Sequence, residues 1–282
     1  MSRQFAVLGK PISHSKSPAI HKAAYRVMGL DWQYGRAEVA KGGLWSFIRG
    51  LEEVWDGFSV TMPLKEEAMR LCKTTDEFVK ATGACNTLVR NEDGTWAGFN
   101  TDVFGIIMAL QKGLQERPKR ILILGSGATA TSMVVAVKYM NPEAEIKIYA
   151  RNSKTRNALI KKAKNLGLKA KRAWFLTEAT AWADLTVSTL PAGSLDEFAE
   201  ATEAKSSWKP GGAFFDVSYA VWPSRSAQLW MNRDELAISG IEMLKWQAIA
   251  QLRIFLTRNP NQELPNEVAV FEAMTAATQV DH

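Results

Sequence analysis

With 282 residues, a formal charge of +6, 46% hydrophobic and 23% charged residues, the chain has an ordinary soluble globular composition and enough length for two domains. No stretch approaches the roughly 20 apolar residues of a membrane span, and Met1 to Phe5 leads straight into a strand rather than a signal-peptide core, so the cytoplasm is the expected compartment. Cys72 and Cys85 form no C-x-x-C and the only histidines are His14, His21 and His282, so neither a disulfide framework nor a metal centre is expected.

Phe5 to Leu8 reads as a first strand, ended by Gly9. The polar loop Lys10 to Pro18 then runs into a helix with Ser17 at the N-cap and Pro18 at N1. Ile20, Ala23, Ala24, Val27 and Met28 give that helix one apolar face, and Gly29 stops it. Capping accounts for Ser17 but not for Ser15. Residues 32–39 suit a second strand, 44–54 a second helix, and 57–61 a third strand cut off by Met62-Pro63. Lys65 falls in the first turn of a helix beginning near Leu64. A cation there opposes the helix dipole, which invites a functional reading; a side chain pointing into solvent is the alternative.

Residues 85–89 and 95–99 flank the turn sequence Asn91 to Gly94 and read as a hairpin. Asn100-Thr101-Asp102 opens a helix that is apolar nearly all round, with Asp102 a natural N-cap. The polar break Gln115 to Pro118 follows, and the hinge between two domains is placed close to it.

The stretch from Arg120 to Arg156 has the order of a dinucleotide-binding unit. Ile121 to Leu124 is a continuous apolar run, as a strand covered on both faces requires. Gly125-Ser126-Gly127-Ala128-Thr129-Ala130 is G-x-G-x-x-A, a helix follows over 133–140, and Ile146 to Tyr149 closes a strand-helix-strand crossover. Gly125 permits the sharp turn, Gly127 lets backbone N–H groups approach a pyrophosphate, and Ala130 lets helix and strand pack closely. The pyrophosphate is expected on the helix N-terminus.

The second strand ends without an acid for a ribose hydroxyl and instead carries Arg151, Asn152, Lys154 and Arg156. These suit a 2'-phosphate, so NADP is expected, with NAD as the alternative; an ordinary solvated helix start is the other account of the cations. From Lys154 to Arg172 there are eight cations and no acid, read as a solvated helix face whose field favours a polyanionic dinucleotide. No nucleic-acid-binding pattern accompanies the charge. Strands follow over 183–188 and 211–217, the latter leading into Ser218-Tyr219, and their exit loops lie where open α/β sheets bind ligands. Gly240 starts a last long helical region reaching Phe255, with Pro260 and Pro265 ahead of a short terminal helix.

Taken together, four segments resemble the shikimate/quinate dehydrogenase family. They are residues 11–21 (PISHSKSPAIH), residues 59–65 (SVTMPLK), Asn86-Thr87 with Asn100-Thr101-Asp102, and Gln247 after Gly240. The resemblance implies reversible NADPH-dependent reduction of 3-dehydroshikimate to shikimate, with quinate or NAD preference, or a non-catalytic dinucleotide-binding regulator, as rival readings. It implies Lys65 and Asp102 as the catalytic pair, and Ser15, Ser17 and Tyr219 around the substrate carboxylate. Thr61, Asn86 and Gln247 fall on ligands of the ring hydroxyls, and Gly240 and Met243 join the glycine loop on the cofactor side. The chain departs from the commoner pattern with Ser59 for an asparagine, Ser188-Thr189-Leu190-Pro191 for Asn-Ala-Thr-Ser, Ala150-Arg151-Asn152-Ser153 for Asn-Arg-Thr, and an extra residue between Tyr219 and its proline. The implied architecture is two α/β domains around a cleft. A substrate domain spans 1–104 plus about 240–282, a Rossmann-type domain spans 105–239, and the assembly is a monomer or homodimer without nucleic-acid or membrane partners.

Overall fold

The computed structural model describes residues 3–51 and 54–279, which divide into two compact α/β units. The first comprises residues up to Gly105 and from Leu244 onward, and the second Ile106–Met243. The chain passes between them inside two helices, α5 (Asp102–Gly113) and α11 (Gly240–Thr257). The polar break at 115–118 therefore lies within the second unit, about ten residues past the division, because the apolar body of α5 carries the chain across first.

In the first unit, β1 (Gln4–Gly9), β2 (Gln33–Glu38), β3 (Trp55–Val60), β4 (Cys72–Thr75), β5 (Thr87–Arg90) and β6 (Trp96–Phe99) form one sheet in the order β2-β1-β3-β5-β6-β4. β1, β2 and β3 are parallel, and the β5–β6 hairpin joins β3 antiparallel. Helices α1 (Ser17–Val27), α2 (Leu44–Arg49), α3 (Lys65–Leu71), α4 (Glu77–Thr82), the last part of α11, and α12 (Glu267–Gln279) belong to the same unit. One face of the sheet buries Leu8, Phe58, Val60 and Leu88 with Leu44, Leu64 and Val79 from the helices. A second cluster is aromatic: Phe255 of α11 packs on Phe5 at 4.5 Å between centroids, and His21 stacks on Tyr34 at 4.0 Å. Burying a phenylalanine such as Phe255 contributes about 1.5–3 kcal/mol, which holds α11 to a strand some 250 residues earlier.

Several elements differ from the sequence expectation. The helix from Leu44 ends at Arg49, and β3 starts at Trp55; Glu52 and Glu53, inside the expected helix, lie outside the described residues, as does His282. Strand β4 and helix α4 were not anticipated; each is short, and α4 is set by its Asp76 cap, whose Oδ1 accepts from Val79 N–H at 2.6 Å. Ser17 is the first residue of α1 rather than its cap; its N–H donates to Ser15 Oγ at 3.3 Å.

The second unit is an all-parallel sheet of β7 (Arg120–Leu124), β8 (Glu145–Tyr149), β9 (Lys169–Arg172), β10 (Leu185–Ser188), β11 (Ala213–Asp216) and β12 (Ala237–Ser239), in the order β12-β11-β10-β7-β8-β9. That is the 3-2-1-4-5-6 order of a Rossmann sheet, with the switch point between β7 and β10. Helices α6 (Ala128–Met140), α7 (Ser153–Asn165), α8 (Leu176–Trp182), α9 (Asp196–Glu203) and α10 (Arg225–Met231) connect the strands. The basic tract is helix α7 plus the edge strand β9 rather than a helix face alone, and Lys169 and Lys171 reach Glu143 and Glu145 beside it. Among the described residues no helix is long and apolar enough to cross a membrane.

Candidate active site

Strand β3 ends at Val60, and the backbone turns through Thr61, whose C=O accepts from Leu64 N–H at 2.9 Å, into helix α3. This places Lys65 at the first residue of α3 without a side-chain cap before it. Its ammonium does not reach into solvent: the side chain is 13% exposed and donates to Asp102 Oδ2 at 2.5 Å. The Asp102 carboxylate supplies the negative charge that a cation at a helix N-terminus lacks.

Asp102 is free for this because it does not cap α5. Asn100 does so: its Oδ1 accepts from Asp102 N–H at 3.0 Å and Val103 N–H at 3.4 Å, while its Nδ2 donates to Ala84 C=O at 2.9 Å and Thr82 Oγ1 at 3.0 Å. The capping reading of Asp102 is thereby corrected, and both carboxylate oxygens have side-chain donors. Asn86 Nδ2 donates to Asp102 Oδ1 at 2.8 Å, and Asn86 Oδ1 accepts from Thr101 N–H at 2.9 Å. Gln247, on α11, brings its Oε1 to 3.4 Å from Thr101 Oγ1 and 3.5 Å from Asn86 Nδ2. Lys65, Asn86, Asp102 and Gln247 thus form one connected polar group in the first unit, built from the starts of α3 and α5, the residue before β5 and the interior of α11.

Thr61 and Ser15 occupy loops of that unit, and Ser17 is the first residue of α1. Lys16, between the serines, donates to Thr278 C=O at 2.8 Å, and Arg36 bonds Ser13 C=O, so the loop is tied at both ends. Tyr219 belongs to the second unit. Its loop leaves β11 beside Asp216, whose Oδ1 accepts from Ser218 N–H at 3.1 Å and whose Oδ2 accepts from Ser224 Oγ at 2.7 Å. Burial pushes the Asp216 carboxyl up from its ordinary value against those hydrogen bonds.

In the second unit, β7 ends at Leu124 and the loop 125–127 leads directly into α6, with Gly127 at the cap position. Gly125 sits at φ +113°, and a Cβ there would come within 2.3 Å of Thr189 Oγ1. Nothing lies within 4 Å of the Cβ position of Gly127, which leaves open space at the start of α6. Ser126 Oγ and Thr155 Oγ1 are 2.7 Å apart and exposed, linking this loop to the start of α7. The loop, the free helix start and the hydroxyl pair fit a pyrophosphate. Arg151 and Lys154 are exposed at the carboxyl end of β8, and Asn152 caps α7 by accepting from Thr155 N–H at 3.1 Å. Arg156 departs from expectation: it is buried, with its guanidinium turned back to Ala150 C=O at 3.3 Å and Asn157 Oδ1 at 3.3 Å. Helical spacing explains this, since Arg156 falls on the inner side of α7 with Leu159 and Ala163. Ala128, Thr129 and Ala130 open α6, and Gly240 and Met243 open α11, where a Cβ on Gly240 would meet Val217 C=O at 2.1 Å.

Asn100 and Thr101 entered the sequence reading only as part of a helix start and a motif, without a role of their own, and Thr155 and Asp216 were not singled out. Asn100 had a readable signal, a capping residue two positions before a helix start; Thr155 became visible only when two loops met.

A Rossmann sheet with an open glycine loop, together with a separate α/β unit holding a buried ammonium–carboxylate pair, defines a dinucleotide-dependent oxidoreductase. Residues 7–88 match the family model described as "Shikimate dehydrogenase substrate binding domain". A shikimate dehydrogenase (NADP(+)) of Trichormus variabilis is 32% identical over 273 residues, covering 92% of each chain. The crystal structure of Mycobacterium tuberculosis shikimate dehydrogenase is 34% identical with a TM-score of 0.83, covering 98% of this chain and 99% of that one. A Thermus thermophilus shikimate 5-dehydrogenase, solved in complex with NADP(H) and shikimate, is 27% identical with a TM-score of 0.80, covering 98% and 99%. The chain belongs to the shikimate dehydrogenase family.

Proposed function

We propose that this protein is an NADP-dependent shikimate dehydrogenase that reversibly reduces 3-dehydroshikimate to shikimate. The observation that carries the reading is the Lys65–Asp102 pair at 2.5 Å, set among Asn86, Thr101 and Gln247 in the unit whose sequence matches a shikimate-dehydrogenase substrate domain. NADPH supplies the hydride when bound. Reduction of a ketone leaves negative charge on its oxygen, and the Lys65 ammonium both stabilises that charge and is the proton source. Asp102 holds Lys65 in place and accepts from a ring hydroxyl, with Asn86, Gln247 and Thr61 completing the hydroxyl contacts. Ser15 and Ser17, with Tyr219, hold the substrate carboxylate; the two serines lie at and just before the start of α1, where hydroxyls and a helix N-terminus favour an anion.

On the cofactor side, residues 125–130 hold the pyrophosphate, Arg151 and Lys154 the 2'-phosphate, and Gly240 and Met243 the nicotinamide end. The substrate-binding domain corresponds to the first unit and the dinucleotide-binding domain to the second, in a cytoplasmic monomer or homodimer. Purified protein mixed with shikimate and NADP is expected to raise absorbance at the reduced-nicotinamide band, faster than with quinate or with NAD. Faster reduction with quinate, or with NAD, would overturn the stated substrate or cofactor, and no reduction with any pair would overturn the activity.

A further inference from the structure

Behind Asn86, buried side chains from four elements form one run of hydrogen bonds that all point the same way. Tyr34 Oη donates to Ser59 Oγ at 2.5 Å, and Ser59 Oγ donates to Gln251 Oε1 at 2.8 Å. Gln251 Nε2 donates to Thr87 Oγ1 at 3.0 Å, and Thr87 Oγ1 donates to Asn86 Oδ1 at 2.9 Å. Asn86 Nδ2 then donates to Asp102 Oδ1 at 2.8 Å, where the run meets the ion pair with Lys65. Tyr34, Ser59, Thr87, Asn86, Gln251 and Asp102 are all buried, so solvent does not compete for these protons.

The direction has a chemical consequence. A hydroxyl has one proton, so the partner that receives it determines which lone pairs remain. With the Ser59 proton on Gln251 Oε1, the amide of Gln251 is set with its nitrogen toward Thr87, and the Thr87 proton is left for Asn86 Oδ1. That oxygen, held also by Thr101 N–H, leaves Asn86 Nδ2 facing the carboxylate. A turned amide would set an oxygen against Asp102, two acceptors in a buried site, and would release the carboxylate that anchors Lys65.

We propose that Ser59, Gln251 and Thr87 are positioning residues for the reaction: they fix the amide of Asn86 and, through it, the Asp102 carboxylate that orients the Lys65 ammonium. The proposal rests on the shikimate dehydrogenase reading above. None of the three needs to touch substrate; they act through Asn86 and Asp102, so their loss falls on turnover and on shikimate binding and spares NADP binding.

The test compares kcat and KM for Thr87→Val, Thr87→Ser and Gln251→Met with those of the wild type, using shikimate and NADP, alongside a thermal melt of each. Thr87→Val and Gln251→Met are expected to lower kcat at least about tenfold, with KM for NADP within about twofold, whereas Thr87→Ser, which keeps the hydroxyl, stays within about threefold of wild type in kcat. Should Thr87→Val fail to fold, Gln251→Met decides, since methionine fills a similar volume without a polar group. Wild-type kcat in the folded apolar variants, or an equal loss in Thr87→Ser, overturns the positioning role while leaving the activity standing. A wild type that does not oxidise shikimate overturns both.

Discussion

Lys65 and Asp102 show how a residue's neighbours decide between competing readings of the same side chain. From the sequence, Lys65 was a cation in a disfavoured place and Asp102 an acid suited to capping its own helix; pairing at 2.5 Å answers the first, and Asn100 takes over the second. At the same scale, His21 makes a separable prediction about stability. It is fully buried against Tyr34, its Nδ1 lies 2.9 Å from Ser17 C=O, and its Nε2 has no partner among the described residues. Burial lowers its pKa from 6.5 to about 4, only partly opposed by the Ser17 carbonyl. The unfolded chain therefore binds more protons between these values, so the contribution is complete above pH 6.5 and is lost as pH falls toward 4, amounting to about 3 kcal/mol in all. Urea unfolding of wild type and His21→Gln across that window is expected to show the wild type losing stability more steeply with acid. Parallel curves would contradict a neutral, buried His21.

In the proposed reading the helix and strand ends carry most of the binding chemistry, and they divide by how much of their signal is local. The turn from β7 into α6 was legible because strand, glycines and helix follow one another directly, and the Met62-Pro63 break announced the start of α3. Strand β12 was not, since three residues, Ala237–Ser239, carry no periodicity and are ordered only by pairing with β11. The end of β8 lies between these cases. Its lack of an acid was plain, but which cations face outward depended on the phase of α7, which buries Arg156 and leaves Arg151 and Lys154 exposed. Arg151→Ala is accordingly expected to weaken NADP binding by at least about tenfold and NAD binding little, the loss of a charge-assisted phosphate contact. Arg156→Ala should show no such discrimination. Equal losses for both dinucleotides in Arg151→Ala, measured by fluorescence titration, would contradict a 2'-phosphate clamp.

At the scale of the whole molecule, chemistry-bearing residues distant in sequence gather inside each unit rather than along one segment. In the first, Lys65, Asn86 and Asp102 meet Gln247 because α11 returns to the N-terminal sheet, where Phe255 packs on Phe5. That return was anticipated only by resemblance, since no local pattern ties residue 247 to residue 86. In the second, residues of the glycine loop meet the start of α7 through Ser126 and Thr155. The proposed reaction assigns the proton to Lys65. Absorbance at the reduced-nicotinamide band, followed in wild type and Lys65→Ala with shikimate and NADP, tests that assignment most directly when paired with an NADPH titration of each. The expected result is a turnover loss of at least about a hundredfold in Lys65→Ala with NADPH affinity within about twofold of wild type. Near-normal turnover without the ammonium would contradict it.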